Sequence, residues 1–203
     1  MIPPMDAAPD TRPEVAVFIA TSLDGFIARP DGAIDWLLER HATAPPGEDF
    51  GYAAFMAGVD ALVMGRKSFD TALGFDPWPY AGTPVHVMTR QPGLAVPPAR
   101  AADVRLRHEP PAALLAALAA EGVRRVYLDG GELIQAFLRE DLVDQLTVTT
   151  VPVLIGQGRR LWGALPADQA WALVAARHWD CGFVQTTHRR RRTAAGVPPV
   201  TPR

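Results

Sequence analysis

Two segments of the chain share one build: an unbroken apolar run, then glycine, then polar residues that open a helix-like pattern. One passes from Asp60 through Met64 and Gly65 to Arg66, Lys67 and Ser68; the other passes from Val126 through Leu128 to Gly130, Gly131 and Glu132. An apolar run without alternation marks a strand buried on both faces, because alternation arises only where one face meets water. Such a strand needs a layer over each face. Strand–turn–helix units supply those layers and set successive strands parallel.

The rest of the chain fits this scheme. Val15 to Ala20, Val85 to Met88 and Asp103 to Leu106 read as further strands, and Val123 to Leu128 is the strand before the double glycine. Gln145 to Leu154 reads as a long strand with a bulge or an edge at Pro152, because proline cannot donate to a ladder. Glu48 to Gly58 reads as a short amphipathic helix with its acids at the positive N-terminal end. Helices are also expected from Arg66 to Leu73, from Pro110 to Glu121 with Gly122 as the stop, and from Glu132 to Leu138. Turn signals stand at Asp24-Gly25 and from Arg29 to Gly32, and His41 to Gly47 reads as loop. Trp171 to His178 and Phe183 to Arg189 have the pattern of a closing hairpin. The expected fold is therefore α/β, with helices on both faces of a mostly parallel sheet and an antiparallel C-terminal edge.

The 203 residues suffice for one domain with a sizeable core. That domain is expected over 14–190, between a disordered leader at 1–13 and a disordered basic, proline-rich tail at 191–203. A formal net charge of −2 gives no bulk reason to expect nucleic acid or an anionic membrane as partner. The run Arg189 to Arg192 reads as part of a solvated tail. Cys181 is the single cysteine, so no internal disulfide or cysteine zinc cluster can form, and a reducing compartment fits. No run is long and apolar enough to span a bilayer, and the first residues lack a signal-peptide core. A cytoplasmic location is the expectation. None of the five histidines stands at metal-ligand spacing, so no metal is expected.

Chemistry enters at the glycine turns. Unpaired N–H groups at a helix N-terminus point outward, and the helix dipole favours anions there. Gly65 followed by Arg66, Lys67 and Ser68 suits phosphate, with the Arg66 guanidinium able to grip it through a fork of donors. A glycine turn bearing two solvated cations is the competing reading. Gly130 and Gly131 have no side chains to hold off a pyrophosphate, although the full three-glycine fingerprint is lacking and a tight strand-to-helix turn explains them equally. Thr89 and Arg90 follow the Val85 strand and would add a third cation suited to a 2′-phosphate; a solvated loop arginine is the alternative. Asp49 is either a carboxylate that relays a proton in a cleft or a helix-start acid serving the dipole.

In this order the pieces resemble the dihydrofolate reductase fold superfamily, and within it the riboflavin-biosynthesis reductase branch. The segments that carry the resemblance are Phe18 to Ala28, Val63 to Ser68, Val126 to Glu132 and Leu146 to Trp162, among which Pro152 to Gly158 is similar to the riboflavin branch in particular. The resemblance implies a three-layer fold around a sheet of about eight strands with NADPH lying across it. It implies Ala20 and Ile27 at the nicotinamide, and Arg66, Lys67 and Ser68 beside Gly65 at the adenosine phosphates and pyrophosphate. Thr89 and Arg90 would lie near the 2′-phosphate. Leu128, Gly130, Gly131, Glu132 and Leu133 would wrap the pyrophosphate and ribose. Asp49 falls where folate reductases keep their active-site acid. Asp35, Trp36, Phe50, Thr149 and Thr150 are expected on the substrate side.

The chain departs from the folate enzymes at Asp35-Trp36, where they have Pro-Trp, and Ile134 replaces the aromatic that often follows the double glycine. The function expected is NADPH-dependent hydride transfer to a C=N or C=O of a small heterocycle, pterin- or pyrimidine-like, in the manner of 5-amino-6-(5-phosphoribosylamino)uracil reductase. The alternatives are a true dihydrofolate reductase and a non-catalytic nucleotide- or flavin-binding module. A homodimer is also expected, because Leu146 to Leu154 is apolar along most of its length and the riboflavin branch often pairs.

Overall fold

Alternation is hidden in the sequence of the central strands but plain in their packing. The computed structural model describes residues 12–91 and 93–192. In the first strand, β1 (Glu14–Ser22), Val15 and Val17 face one core and Ala16 and Phe18 face the other. The strand after it in space, β6 (Arg125–Asp129), divides Val126 and Leu128 from Tyr127 in the same way. Both cores are apolar, so both registers read as hydrophobic in one dimension.

One face is covered by α4 (Pro111–Ala120) and α5 (Gly131–Arg139), which bury Leu114, Leu115 and Leu118, and Ile134 and Phe137. The other is covered by α2 (Tyr52–Met56) and α3 (Arg66–Ala72), through Phe55 and Phe69. Each such fully buried side chain contributes roughly 1.5–3 kcal/mol relative to exposure. The remaining strands of the large sheet are β3 (Ala61–Gly65), β4 (Val85–Met88), β5 (Val104–Arg107), β7 (Gln145–Val151), β9 (Trp171–His178) and β10 (Val184–Arg190). Their spatial order is β5-β4-β3-β6-β1-β7-β10-β9. The first six are mutually parallel, and β10 runs antiparallel to both β7 and β9. This is the mostly parallel eight-stranded sheet with an antiparallel C-terminal edge, helices on both faces, of the dihydrofolate reductase-like fold.

Several boundaries differ from the sequence expectation for local reasons. The helix expected over 48–58 is only Tyr52–Met56, because Gly51 takes a left-handed conformation (φ 84°) and the segment before it is a turn. A helix not anticipated, α1 (Asp35–His41), follows the turn at Gly32; its N-cap is Ile34, which offers no side-chain cap to betray the start. The long strand stops at Val151, directly before Pro152. A second, two-stranded sheet joins β2 (Phe26–Ala28) to β8 (Arg159–Arg160), and β8 is too short to have been visible as a pattern.

Most of the expected leader and tail, residues 1–11 and 193–203, lies outside the described residues. Next to these ends, Arg12 and Arg192 both pair with Asp144, and the Arg191 N–H donates to the Ala170 carbonyl. No helix among the described residues is long and apolar enough to cross a membrane.

Candidate functional site

Parallel strands send their C-terminal ends to one side of the sheet, and the ends of β1, β3, β4 and β6 open there on a cleft of about 1370 Å³. Ala20 and Ile27 line it, as do Gly65 and the first turn of α3 from Arg66 to Ser68. Thr89 and Arg90 beyond β4 and the turn from Gly130 to Leu133 complete that wall. Leu128 does not line the cleft; it is fully buried against α4 and α5.

The glycines make this arrangement possible in two ways. Gly130 has φ 97°, and a Cβ there would fall 2.7 Å from the Ser68 Oγ. A Cβ on Gly131 would fall 2.6 Å from Ile27 Cδ1 and 3.2 Å from the Arg160 carbonyl oxygen. The pair thus lets α5 begin hard against α3 on one side and the β2–β8 ribbon on the other. A Cβ on Gly65 would meet nothing within 4 Å, so the space in front of α3 is open to the cleft.

Cations gather around that space. Arg66 donates to Gln91 Oε1 at 2.8 Å and pairs with Asp70 at 3.3 Å. Lys67 reaches across the mouth to Glu132 at 2.7 Å, an exposed pair of small energetic worth that an incoming phosphate can displace. Arg90, Arg159 and Arg160 also open on the cleft. The residues fit a phosphorylated dinucleotide: a basic cleft, an open glycine at a helix start, and a double glycine at a second. The β4–β5 rim is braced from behind. Arg107 Nε donates to Nδ1 of the buried His86 at 3.0 Å, and burial, then the Arg107 charge, pushes the His86 pKa down to about 4. His108 Nδ1 lies 2.8 Å from the Thr89 carbonyl oxygen, holding the residue that leads into Arg90.

The sequence reading missed Asp129, which ends β6 in the cleft floor. Burial holds its carboxyl above the ordinary carboxylate range, opposed in part by hydrogen bonds from the Ser68 hydroxyl and the Gly130 N–H. Burial, helped by the Asp129 charge, in turn pushes Tyr52 up to about 12 and raises Tyr80 and Tyr127. Tyr127 donates to the Phe18 carbonyl at 3.0 Å. An acid that closes an otherwise apolar buried strand was the signal available for Asp129.

Beside the cleft, and sharing Phe18, Ala20 and Leu37 with it, lies a smaller pocket of about 220 Å³. Asp49, Phe50, Tyr52 and Thr149 line it. Asp49 is exposed, and each of its oxygens accepts a backbone N–H at 2.8 Å, one from Gly51 and one from Ala53. Those two bonds hold its carboxyl below the ordinary range, so it combines the helix-start role with a place at the pocket. Asp35 and Trp36 line neither cavity: Asp35 forks onto Arg29 at 2.6 and 2.8 Å, and Trp36 is packed with Phe50 and Phe183 in a third core cluster. Thr150 also lies outside both linings, whereas Thr149 is buried and accepts a hydrogen bond from Gln185 at 2.9 Å.

Residues 13–185 match the family model described as the RibD C-terminal domain. The chain is 32% identical over 154 residues to the uncharacterised Bacillus subtilis protein YwjB, a match that covers 75% of this chain and 84% of that protein. It is 30% identical over 169 residues to the riboflavin biosynthesis protein RibD of Corynebacterium ammoniagenes, covering 78% of this chain and 48% of RibD. The chain thus spans about half the length of that relative. The crystal structure of a Shewanella sp. PV-4 protein, provisionally described as a riboflavin biosynthesis protein, superposes with a TM-score of 0.81 at 39% identity, covering 88% of this chain and 99% of that one.

Proposed function

The chain belongs to the RibD C-terminal domain family, and on that footing we propose that it is an NADPH-dependent reductase of a C=N or C=O bond in a small heterocycle. One observation carries the reading: four parallel strand ends converge on a single basic cleft, with a glycine-led helix start at two of them. NADPH, when bound, supplies a hydride to the carbon of the double bond and leaves as NADP⁺. Arg66, Lys67 and Arg90 would hold its phosphates, and Ser68, Gly130 and Gly131 would let its backbone approach the chain. Ala20 and Ile27 would receive the nicotinamide.

The nitrogen or oxygen of the reduced bond needs a proton, and the two carboxylates differ in fitness to give it. Asp129, raised by burial, retains its proton to higher pH than an ordinary carboxyl and lies in the cleft floor near Tyr52. Asp49 is held ionised by its two N–H donors and would act by orienting a water or a substrate N–H group. Asp129, which lines the cleft and not the adjoining pocket, is accordingly assigned as a proton source that reaches the reduced bond through water, and Asp49, which lines the pocket, as the positioning group. The remainder of the rate enhancement would come from holding hydride donor and acceptor in contact.

Calorimetric titration with NADPH, NADH and FMN, repeated on Arg66→Ala, tests the cofactor. NADPH is expected to bind at least about tenfold more tightly than NADH, with most of that preference lost in the variant, as the removal of charge-assisted hydrogen bonds implies. Binding of FMN with neither nicotinamide would overturn hydride transfer from NADPH and favour the flavin-binding module.

A further inference from the structure

The small pocket has a charge pattern opposite to that of the cleft it adjoins. Among the described residues that line it, none is lysine or arginine; its ionisable groups besides the Tyr52 phenol are the Asp49 carboxylate and the His41 imidazole, which packs edge-on against Phe50. Arg29, on the chain leading into α1, is already forked onto Asp35, and Arg159 and Arg160 open on the larger cleft instead. The walls are aromatic and aliphatic: Phe50 and Phe183 stack with centroids 4.8 Å apart, and Phe18 and Leu37 face the same space.

The polar groups are suited to a ring that carries N–H and carbonyl groups. Each Asp49 oxygen takes one backbone N–H and keeps a lone pair for a further donor. Thr149 Oγ1 accepts from Gln185, which leaves its own proton to donate, and the Tyr52 phenol is a second donor. At about 220 Å³ the pocket lies below the roughly 300–1,000 Å³ of sites that enclose drug-sized ligands.

We infer that the substrate is a small, planar, unphosphorylated heterocycle bearing amino or amide N–H groups, and that the pocket discriminates against a phosphoribosyl-linked ring. The inference rests on the reductase reading and narrows its substrate class. A phosphate dianion brought to this pocket would meet the Asp49 carboxylate and, among the described lining, neither lysine nor arginine, with the His41 imidazole as the one basic group, whereas the phosphates of the dinucleotide have several arginines and Lys67 on the larger cleft. Charge therefore sorts the two ligands into their sites.

The test uses protein saturated with NADP⁺ and three ligands titrated by calorimetry: 5,6-diaminouracil, 5-amino-6-(ribosylamino)uracil and the 5-phosphate of that riboside. The ring and the riboside are expected to bind, and the phosphate to weaken the riboside by about tenfold or more. Asp49→Asn, which keeps one of the two oxygens that accept N–H groups at the start of α2, should shrink that ratio. Leu38→Arg, at an exposed position on the rim, should shift it towards the phosphate, with thermal unfolding as a control on folding. Equal or tighter binding of the phosphate to the unmodified protein overturns the inference, as does failure of both ring and riboside to bind. Failure of NADP⁺ itself to bind is a separate result, which removes the reductase reading instead.

Discussion

The floor of the cleft and the mouth of the aromatic pocket each hold one carboxylate, and the two surroundings drive protonation in opposite directions. Asp129 stands at the end of a strand buried on both faces, among tyrosines, and burial dominates its balance. Asp49 stands in an exposed turn where two backbone N–H groups converge on it, and those bonds dominate. Identical chemistry is thus divided into a group that can give a proton and a group that stays an acceptor. Cations divide along the same line, with Arg66, Lys67 and Arg90 on the cleft and neither lysine nor arginine among the described lining of the pocket. Backbone position, more than residue type, decides what each acid can do.

Exchange of the two carboxylates for amides is the strongest way to break this contrast. Asp129→Asn should lower kcat by about 10²–10⁴, the usual worth of a general acid, and should also weaken NADPH, because Asp129 accepts hydrogen bonds from Ser68 and Gly130 at the cofactor turn. Steady-state kinetics and titration on the same preparation separate the two effects. Arg66→Ala is the next largest, with NADPH binding weakened by about tenfold or more and NADH weakened less. Asp49→Asn should reduce kcat by about tenfold or less, because it keeps one of the two acceptor oxygens and the shape of the side chain. An equal loss of kcat from the two amide variants would erase the distinction between them.

The smallest effect concerns stability and has opposite signs for the half-buried Asp129 and the buried His86. The Asp129 carboxyl has a folded pKa above its ordinary 3.8, so the unfolded chain ionises first and stability falls as pH rises from about 3.8 to the folded value. Asp129→Asn removes that fall, so its unfolding midpoint relative to the unmodified protein should rise across the same window and stay level above it. His86 is depressed from 6.5 to about 4, so the unfolded chain takes a proton first as pH drops. Its contribution is complete above pH 6.5 and is lost as pH falls towards about 4. Thermal unfolding at a series of pH values measures both, and a midpoint for Asp129→Asn that tracks the unmodified protein throughout would contradict burial as the cause.

Much of this was legible in the sequence wherever a local pattern forces the backbone. The apolar runs ending at Gly65 and Leu128 become β3 and β6, and the double glycine after β6 sits where α5 must start without side chains in the way, while Gly65 opens on the cleft. What was not legible depends on which groups meet in space. The α1 helix lacks a capping side chain, and β8 is two residues long. Asp35 is drawn to Arg29 and Trp36 into a core cluster, neither of which a linear pattern reveals. Asp129 looked like the polar end of a strand because its burial depends on what packs around it, including tyrosines of two other segments, at 52 and 80, besides Tyr127 of its own strand.

Amide hydrogen exchange with and without saturating NADPH tests most directly whether the strand ends form the dinucleotide site. Protection is predicted at Gly65 to Ser68, at Thr89 to Gln91 and at Gly130 to Leu133, with β9 and β10 unchanged. Protection absent from all three segments, or confined to another part of the sheet, would contradict the account.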